Sequence, residues 1–251
     1  MRLRNYLSFV TRAKSLEELW AAHTKEMAWF GFDRLLYGYT RYRTETSFGD
    51  PEDFVILSNH PKEYVEGFVY SGLYFHAPML RWALNNEGAG SWRLINQMVA
   101  SRTLTPAEQK VYEFNREMGV TVGYTISFNS VSARSKGAIS LCARPDLGQD
   151  EVDAIWEAHG EDILLMNNIA HLKILTLPHV APNRALTRRQ REALEWVGDG
   201  KTTQDIAMLM GLTPATVEKH LRLAREALSV ETTAQAVMKA ALHNQMFVIE
   251  A

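Results

Sequence analysis

The stretch from Leu186 to Leu228, LTRRQREALEWVGDGKTTQDIAMLMGLTPATVEKHLRLAREAL, alternates helix-start and helix-stop residues so closely that it leaves room for three short helices and little else. Thr187 has Gln190 three residues on, the spacing of a capping box, ahead of the apolar Ala193, Leu194 and Val197. The first helix should stop at Gly198 to Gly200. A second start falls at Thr202 or Thr203, with Asp205 suited to the positive helix end, and leads into Ile206, Ala207, Leu209 and Met210 before Gly211 ends it. Thr213 then caps a third helix, and Pro214 takes its first position, where a missing N–H costs nothing.

In that third helix Val217, Leu221, Ala224 and Leu228 recur at helical spacing as a buried stripe, which turns Ala215, Glu218, Lys219, Arg222 and Arg225 toward or beside solvent. Two helices joined by a tight glycine turn, the second carrying outward cations, form the helix-turn-helix arrangement, in which one helix enters a major groove. Read from charge alone, the same face is an ordinary solvated helix surface. A fourth segment, Thr232 to Met246, carries Ala236, Val237, Ala240 and Ala241 at close helical spacing.

The whole pattern resembles the DNA-binding domain of the LuxR family, whose signature runs roughly L-T-x-R-E-x-x-x-L-x-W, then G-K-[ST]-x-x-E-I-A, then S-x-x-T-V-x-x-H-L. The matches are Leu186, Thr187, Arg189, Leu194, Trp196, Gly200, Lys201, Thr202, Ile206, Ala207, Thr216, Val217, His220 and Leu221; the departures are Gln190, Asp205 and Thr213. The resemblance implies that Glu218, Lys219 and Arg222 face bases while Lys201, Thr202, Thr216, His220 and Arg225 hold the phosphate backbone. It also implies a homodimer on a palindromic double-stranded DNA site, with the fourth helix packing head against head, and RNA polymerase as a further partner.

A chain of 251 residues favours two domains. Its net charge of −2 leaves DNA attraction to a local patch, which the third helix supplies. One cysteine, Cys142, in an apolar strand-like run, argues against a disulfide framework or a cysteine metal cluster. Neither a signal peptide nor an apolar run of about 18 residues is present, so the expected compartment is the cytoplasm, with no membrane partner. Leu177 to Arg184, LPHVAPNR, reads as a linker, giving a sensor and dimerisation domain over 1–176, the linker over 177–184 and the DNA-binding domain over 185–251.

Before the linker, the patterns predict helices from Ser15 to Phe30 (opened by a Ser15–Glu18 capping box), Pro61 to Ser71, Pro78 to Asn85 and Thr105 to Met118, and a long one from Gln149 to about Leu175. Strand-like runs cover Leu35 to Tyr42, Phe54 to Ser58, Val120 to Asn129 and Gly137 to Ala143. The expected fold class is α+β: an N-terminal α/β/α sandwich around an antiparallel sheet, with an apolar interior able to hold a ligand, followed by an all-α helix-turn-helix domain. No enzyme is expected, and no cofactor or metal. The acidic Asp150, Glu151, Asp153, Glu157, Glu161 and Asp162 mostly recur opposite apolar residues as a solvated face, and phosphate loop, His-x-x-x-His pair and nucleophile elbow are all missing.

This half also resembles the signal-binding part of the LuxR family, whose pocket is marked by Y-P-x-x-W-x-x-x-Y, an Asp-Pro, a tryptophan and a glycine before a strand. Those positions fall on His60 and Pro61, Tyr64, Phe68, Ala77 and Pro78, Trp92 and Gly123. The family's aspartate accepts the amide N–H of an acyl-homoserine lactone. Ala77 accepts nothing, and an amide buried without an acceptor loses roughly 1–3 kcal/mol. His76, one helical step away, points about 100° aside. The expected signal is therefore a different, apolar or aromatic molecule held by Tyr37, Tyr39, Tyr64, Phe68, Leu80 and Trp92 around Ala77, with polar help from His60, Thr125, Ser127 or Ser140. Three alternatives stay open: a ligand-independent dimer whose aromatics simply fill the core, a lactone receptor with an atypical pocket, and an enzyme-like sensor domain.

Overall fold

Alternating apolar residues give β1 (Phe32–Thr40) two working faces, and the fold of the N-terminal half follows from what covers each. In the computed structural model, which describes residues 2–44, 47–130, 132–179 and 184–247, the chain divides into Met1–Leu175 and Thr176–Ala251. The first unit runs α1 (Arg2–Arg12), α2 (Leu16–Trp29), β1, β2 (Val55–Ser58), α3 (Lys62–Val65), α4 (Pro78–Asn85), β3 (Gly88–Ser91), α5 (Arg93–Ala100), α6 (Pro106–Glu117), β4 (Gly123–Ser127), β5 (Lys136–Ala143) and α7 (Gln149–Ile174). The strands form one antiparallel sheet in the order β2-β1-β5-β4-β3.

Opposite residues share a face, so Tyr37 beside Ile139 points one way while Leu36 beside Ser140 and Gly38 beside Ala138 point the other. The Tyr37 side packs against α7, where Phe128 stacks on His171 at 4.1 Å and Tyr124 on Trp156 at 4.0 Å. Helices α1 and α2 complete that layer. The other face is covered by α4 and by the hydrophobic cluster of Tyr64, Phe68, Trp92, Val111 and Phe114, drawn from α3 through α6. The expected α/β/α sandwich is the observed architecture.

Several local expectations are corrected. The helix expected over 61–71 is one α-helical stretch, α3, followed by a π-helical turn, Glu66–Tyr70. Ser15 does cap α2, but the Glu18 carboxylate accepts from Lys14 N–H at 3.0 Å, so the reciprocal bond reaches one residue further back. Asp153 is not part of a solvated face. It accepts from Ser91 (2.8 Å), Tyr124 (2.9 Å), Gln149 (2.8 Å) and Arg93 (2.7 Å), tying α7 to the β3 edge, and these hydrogen bonds outweigh its partial burial and hold its carboxyl below the usual range. Elements α1, β3 and α5 were not anticipated from the sequence.

The second unit holds α8 (Arg188–Gly198), α9 (Thr203–Met210), α10 (Pro214–Ala227) and α11 (Thr233–Leu242) around Leu186, Leu194, Ile206, Val217, Leu221, Leu228 and Ala236. Residues 180–183 of the expected linker lie outside the described residues. Its two ends are packed into this unit: the Leu177 carbonyl accepts from Asn244 at 3.1 Å, and buried Arg184 donates to the Leu228 carbonyl at 3.0 Å.

Candidate signal pocket and nucleic-acid interface

The sheet face turned away from α7 is not filled. Between it and the α3–α6 layer lies a cavity of about 180 Å³ lined by residues that include Leu36, Gly38, Phe54, Ile56, Tyr64, Phe68, Ala77, Trp92 and Ile95. An engineered apolar cavity of about 150 Å³ admits benzene, so this one has room for a small organic molecule. Of the residues singled out from the sequence, the cavity brings together Tyr39, Tyr64, Phe68, Ala77, Leu80, Trp92, Thr125 and Ser140. Tyr39 only borders it, since its ring lies 5.6 Å from that of His171 on the α7 side.

Three expected pocket residues lie elsewhere. Tyr37 falls on the opposite strand face, where its hydroxyl and His171 Nδ1 share a hydrogen bond of 2.8 Å. Ser127 is on the cavity face but under α4, its hydroxyl shared between the carbonyls of Ala83 and Asn86, each at 2.7 Å. His60 packs behind Tyr64, ring on ring at 4.3 Å, with both ring nitrogens buried and unpartnered. That burial, helped by the Arg34 charge, pushes its pKa down to about 4, so it stands neutral.

The polar groups around the cavity are few. Trp92 Nε1 donates to Thr125 Oγ1 at 2.9 Å and the Tyr64 hydroxyl to Asn115 Oδ1 at 3.2 Å. Tyr74 and Lys136, which the sequence did not single out, also line it. Tyr74 Oη is buried without a partner, and desolvation pushes its pKa up to about 12. Ala77 is extended at the start of α4 and presents only a methyl group, while His76 is exposed and lies outside the lining.

In the second unit the first three helix starts are closed by the hydroxyls that the sequence singles out, and α11, shorter than the expected segment to Met246, is opened by Thr232 with Gln235. Thr187 with Gln190 and Thr202 with Asp205 form capping boxes, and Thr213 accepts from Thr216 N–H at 3.3 Å. Gly211 ends α9 in the left-handed region at φ +66°, where any other residue would be strained. Glu218, Lys219 and Arg222 are exposed on α10, while Thr216, His220 and Arg225 are half-buried beside them. Glu218 accepts from Thr203 at 2.9 Å, Arg222 pairs with Glu226, and Arg225 donates to Thr233 at 2.9 Å. Lys201 is exposed at the α9 start; the Thr202 hydroxyl accepts from Asp205 N–H and donates to its carboxylate.

Residues 15–174 match the autoinducer binding domain family, and residues 184–240 match the bacterial regulatory proteins of the luxR family. The chain belongs to the LuxR family. Among its curated relatives, the transcriptional activator ExpR of Dickeya dadantii is 25% identical over 181 residues, covering 68% of this chain and 70% of ExpR. AnoR of Acinetobacter nosocomialis is 24% identical over 241 residues, covering 94% and 95%. The structure of SdiA in complex with octanoyl-rac-glycerol shares the fold, with a TM-score of 0.53 at 18% identity over 96% of this chain and 93% of SdiA. As a LuxR-type transcriptional regulator the protein joins a signal-binding domain to a helix-turn-helix. Its Gln190, where the LuxR signature has glutamate, still accepts from Thr187 N–H at 2.8 Å, so the cap survives the loss of charge.

Proposed function

We propose that this LuxR-type regulator senses a small apolar or aromatic molecule other than an acyl-homoserine lactone, and that it acts as a homodimer reading a palindromic DNA site with α10. One observation carries the reading: Ala77 sits in the cavity wall, and no carboxylate lines the cavity among the described residues. A lactone amide N–H buried there forfeits roughly 1–3 kcal/mol, about a fivefold to 150-fold loss of affinity. The open space of about 180 Å³ supports a ligand rather than a core filled by its own aromatics. That SdiA, of the same fold, was solved with octanoyl-rac-glycerol fits a non-lactone occupant.

The DNA reading rests on the exposed Glu218, Lys219 and Arg222 of α10, and it assigns phosphate contacts to Lys201, Thr202, Thr216, His220 and Arg225. A signal works only through a difference in affinity between states, here by stabilising the sensor fold or the dimer that spaces two recognition helices. Mass spectrometry of molecules extracted from the purified protein, joined to melting shifts with acyl-homoserine lactones and cell extract, tests the proposal. A non-lactone compound that copurifies and raises the melting temperature is the expected result. Nanomolar binding of a simple lactone overturns it, and the lack of any copurified or stabilising molecule favours a ligand-independent dimer.

A further inference from the structure

Lys136, the first residue of β5, lies opposite Thr40 in the ladder and borders the cavity; it is the one charged side chain among the described lining residues. Its ammonium reaches two backbone carbonyls at long range, Phe128 O at 3.4 Å and Asn86 O at 3.5 Å, and no carboxylate oxygen of the described residues lies within 4.0 Å. Partial burial lowers its pKa; Glu87 acts in favour of the cation and Arg43 against it. The cation is thus held less favourably than in water, and an anion brought by a ligand offsets that cost. The second under-used polar group of the wall, the unpartnered Tyr74 hydroxyl, can donate as well. Where the LuxR pattern has an acidic acceptor for a ligand N–H, this wall has a methyl group, and it adds a cationic donor elsewhere.

Resting on the reading of this cavity as the signal site, we infer that its ligand is a small monocarboxylic acid, the carboxylate set against Lys136 and an acyl or aromatic body against Leu36, Phe54, Ile56 and Tyr64. The one cation of the lining matches a single negative charge, and a phosphate monoester, close to doubly charged at neutral pH, brings a second charge for which the lining has no cation. The apolar lining excludes a body that carries hydroxyls without partners.

The test is isothermal titration of the full-length protein at pH 7.5 with octanoate and 3-phenylpropanoate, each against its methyl ester. A hydrogen bond to a charged group predicts that at least one acid binds about tenfold or more tightly than its ester. Lys136→Met removes the preference, Lys136→Arg keeps it, and ester affinity in both variants reports that the cavity is intact. Equal affinities of acid and ester in the wild type, or a preference that survives Lys136→Met, overturn the acid assignment and leave the signal pocket standing. Failure of both acids to bind also overturns it; when the purified protein in addition releases no small molecule, the signal-pocket reading falls with it.

Discussion

On the proposed reading, the methyl group of Ala77 in the cavity wall sets which headgroup the cavity tolerates. Ala77→Asp places a carboxylate at a site only 9% exposed, and without a ligand donor it should destabilise the protein by about 1–3 kcal/mol, read as a lower melting temperature. The same variant should be stabilised by added acyl-homoserine lactone more than the wild type is; an unchanged response to lactone removes position 77 from the specificity argument. Tyr74→Phe is expected to leave the free protein as stable as before or more so, since it deletes a buried hydroxyl with no partner, while weakening ligand binding. On α10, Arg222→Ala should cost specific DNA binding about 1–3 kcal/mol and nonspecific binding far less, measured by fluorescence anisotropy on cognate and scrambled duplexes. Reading a base requires Arg222 to leave Glu226, but an exposed pair of that spacing is worth only about 0.3–0.5 kcal/mol. Residue identities were legible where the family pattern fixed them, as at Tyr64, Ala77 and Trp92. They were not at Lys136, which reaches the cavity only because the β5 register sets it opposite Thr40, a pairing between residues 96 positions apart. Tyr37 was misplaced although strand alternation carries the information: a glycine next to it, Gly38, marks the face with room.

At the level of elements, legibility follows how local the cause is. Helices α8, α9 and α10 announce themselves because the first two starts are written in a hydroxyl and the side chain three residues on, and the third in a hydroxyl followed by Pro214. Thr213→Ala should therefore destabilise the second unit by about 1 kcal/mol, and Thr213→Asp should restore most of it, by thermal denaturation of the full chain followed through helix signal. A loss absent in both variants would show that Pro214 alone suffices to start α10. By contrast β3 is Gly-Ala-Gly-Ser, with no strand preference of its own; it is a strand because Gly88 to Ser91 pair with Ser127 to Tyr124. Trp92 at the start of α5 makes no side-chain cap, and α1 has no acidic residue in its first turn, so neither carried a start signal. The π-helical turn after α3 was equally silent, since its single extra residue per turn leaves the apolar spacing of Tyr64 and Phe68 helical.

For the molecule as a whole, acid separates the folded from the unfolded chain through buried histidines. Burial pushes His23, His60 and His171 each down to about 4, and all three lie in the first unit. Within it, the His23 ring is held between the Tyr6 hydroxyl at 2.6 Å and Asn167 Oδ1 at 3.1 Å. The unfolded chain takes up these protons near pH 6.5 and the folded one only near 4, so the stability they confer is complete above about 6.5 and is lost as pH falls toward 4. For fully buried His23 the loss is on the order of 3 kcal/mol over that window. Melting temperatures from pH 7.5 to 4.5 should fall steeply in the wild type and less steeply in His23→Gln; equal slopes would contradict the assignment. The two faces of the sheet, one locked by stacked rings against α7 and one bordering open space, carry a last consequence. Along β1 and β5, consecutive residues meet different surroundings: Leu35, Tyr37 and Ile139 are fully packed, whereas Leu36, Gly38, Ala138 and Ser140 border the cavity. A mutant library confined to every second position of two strands is thus a route to receptors of new chemical taste that still fold.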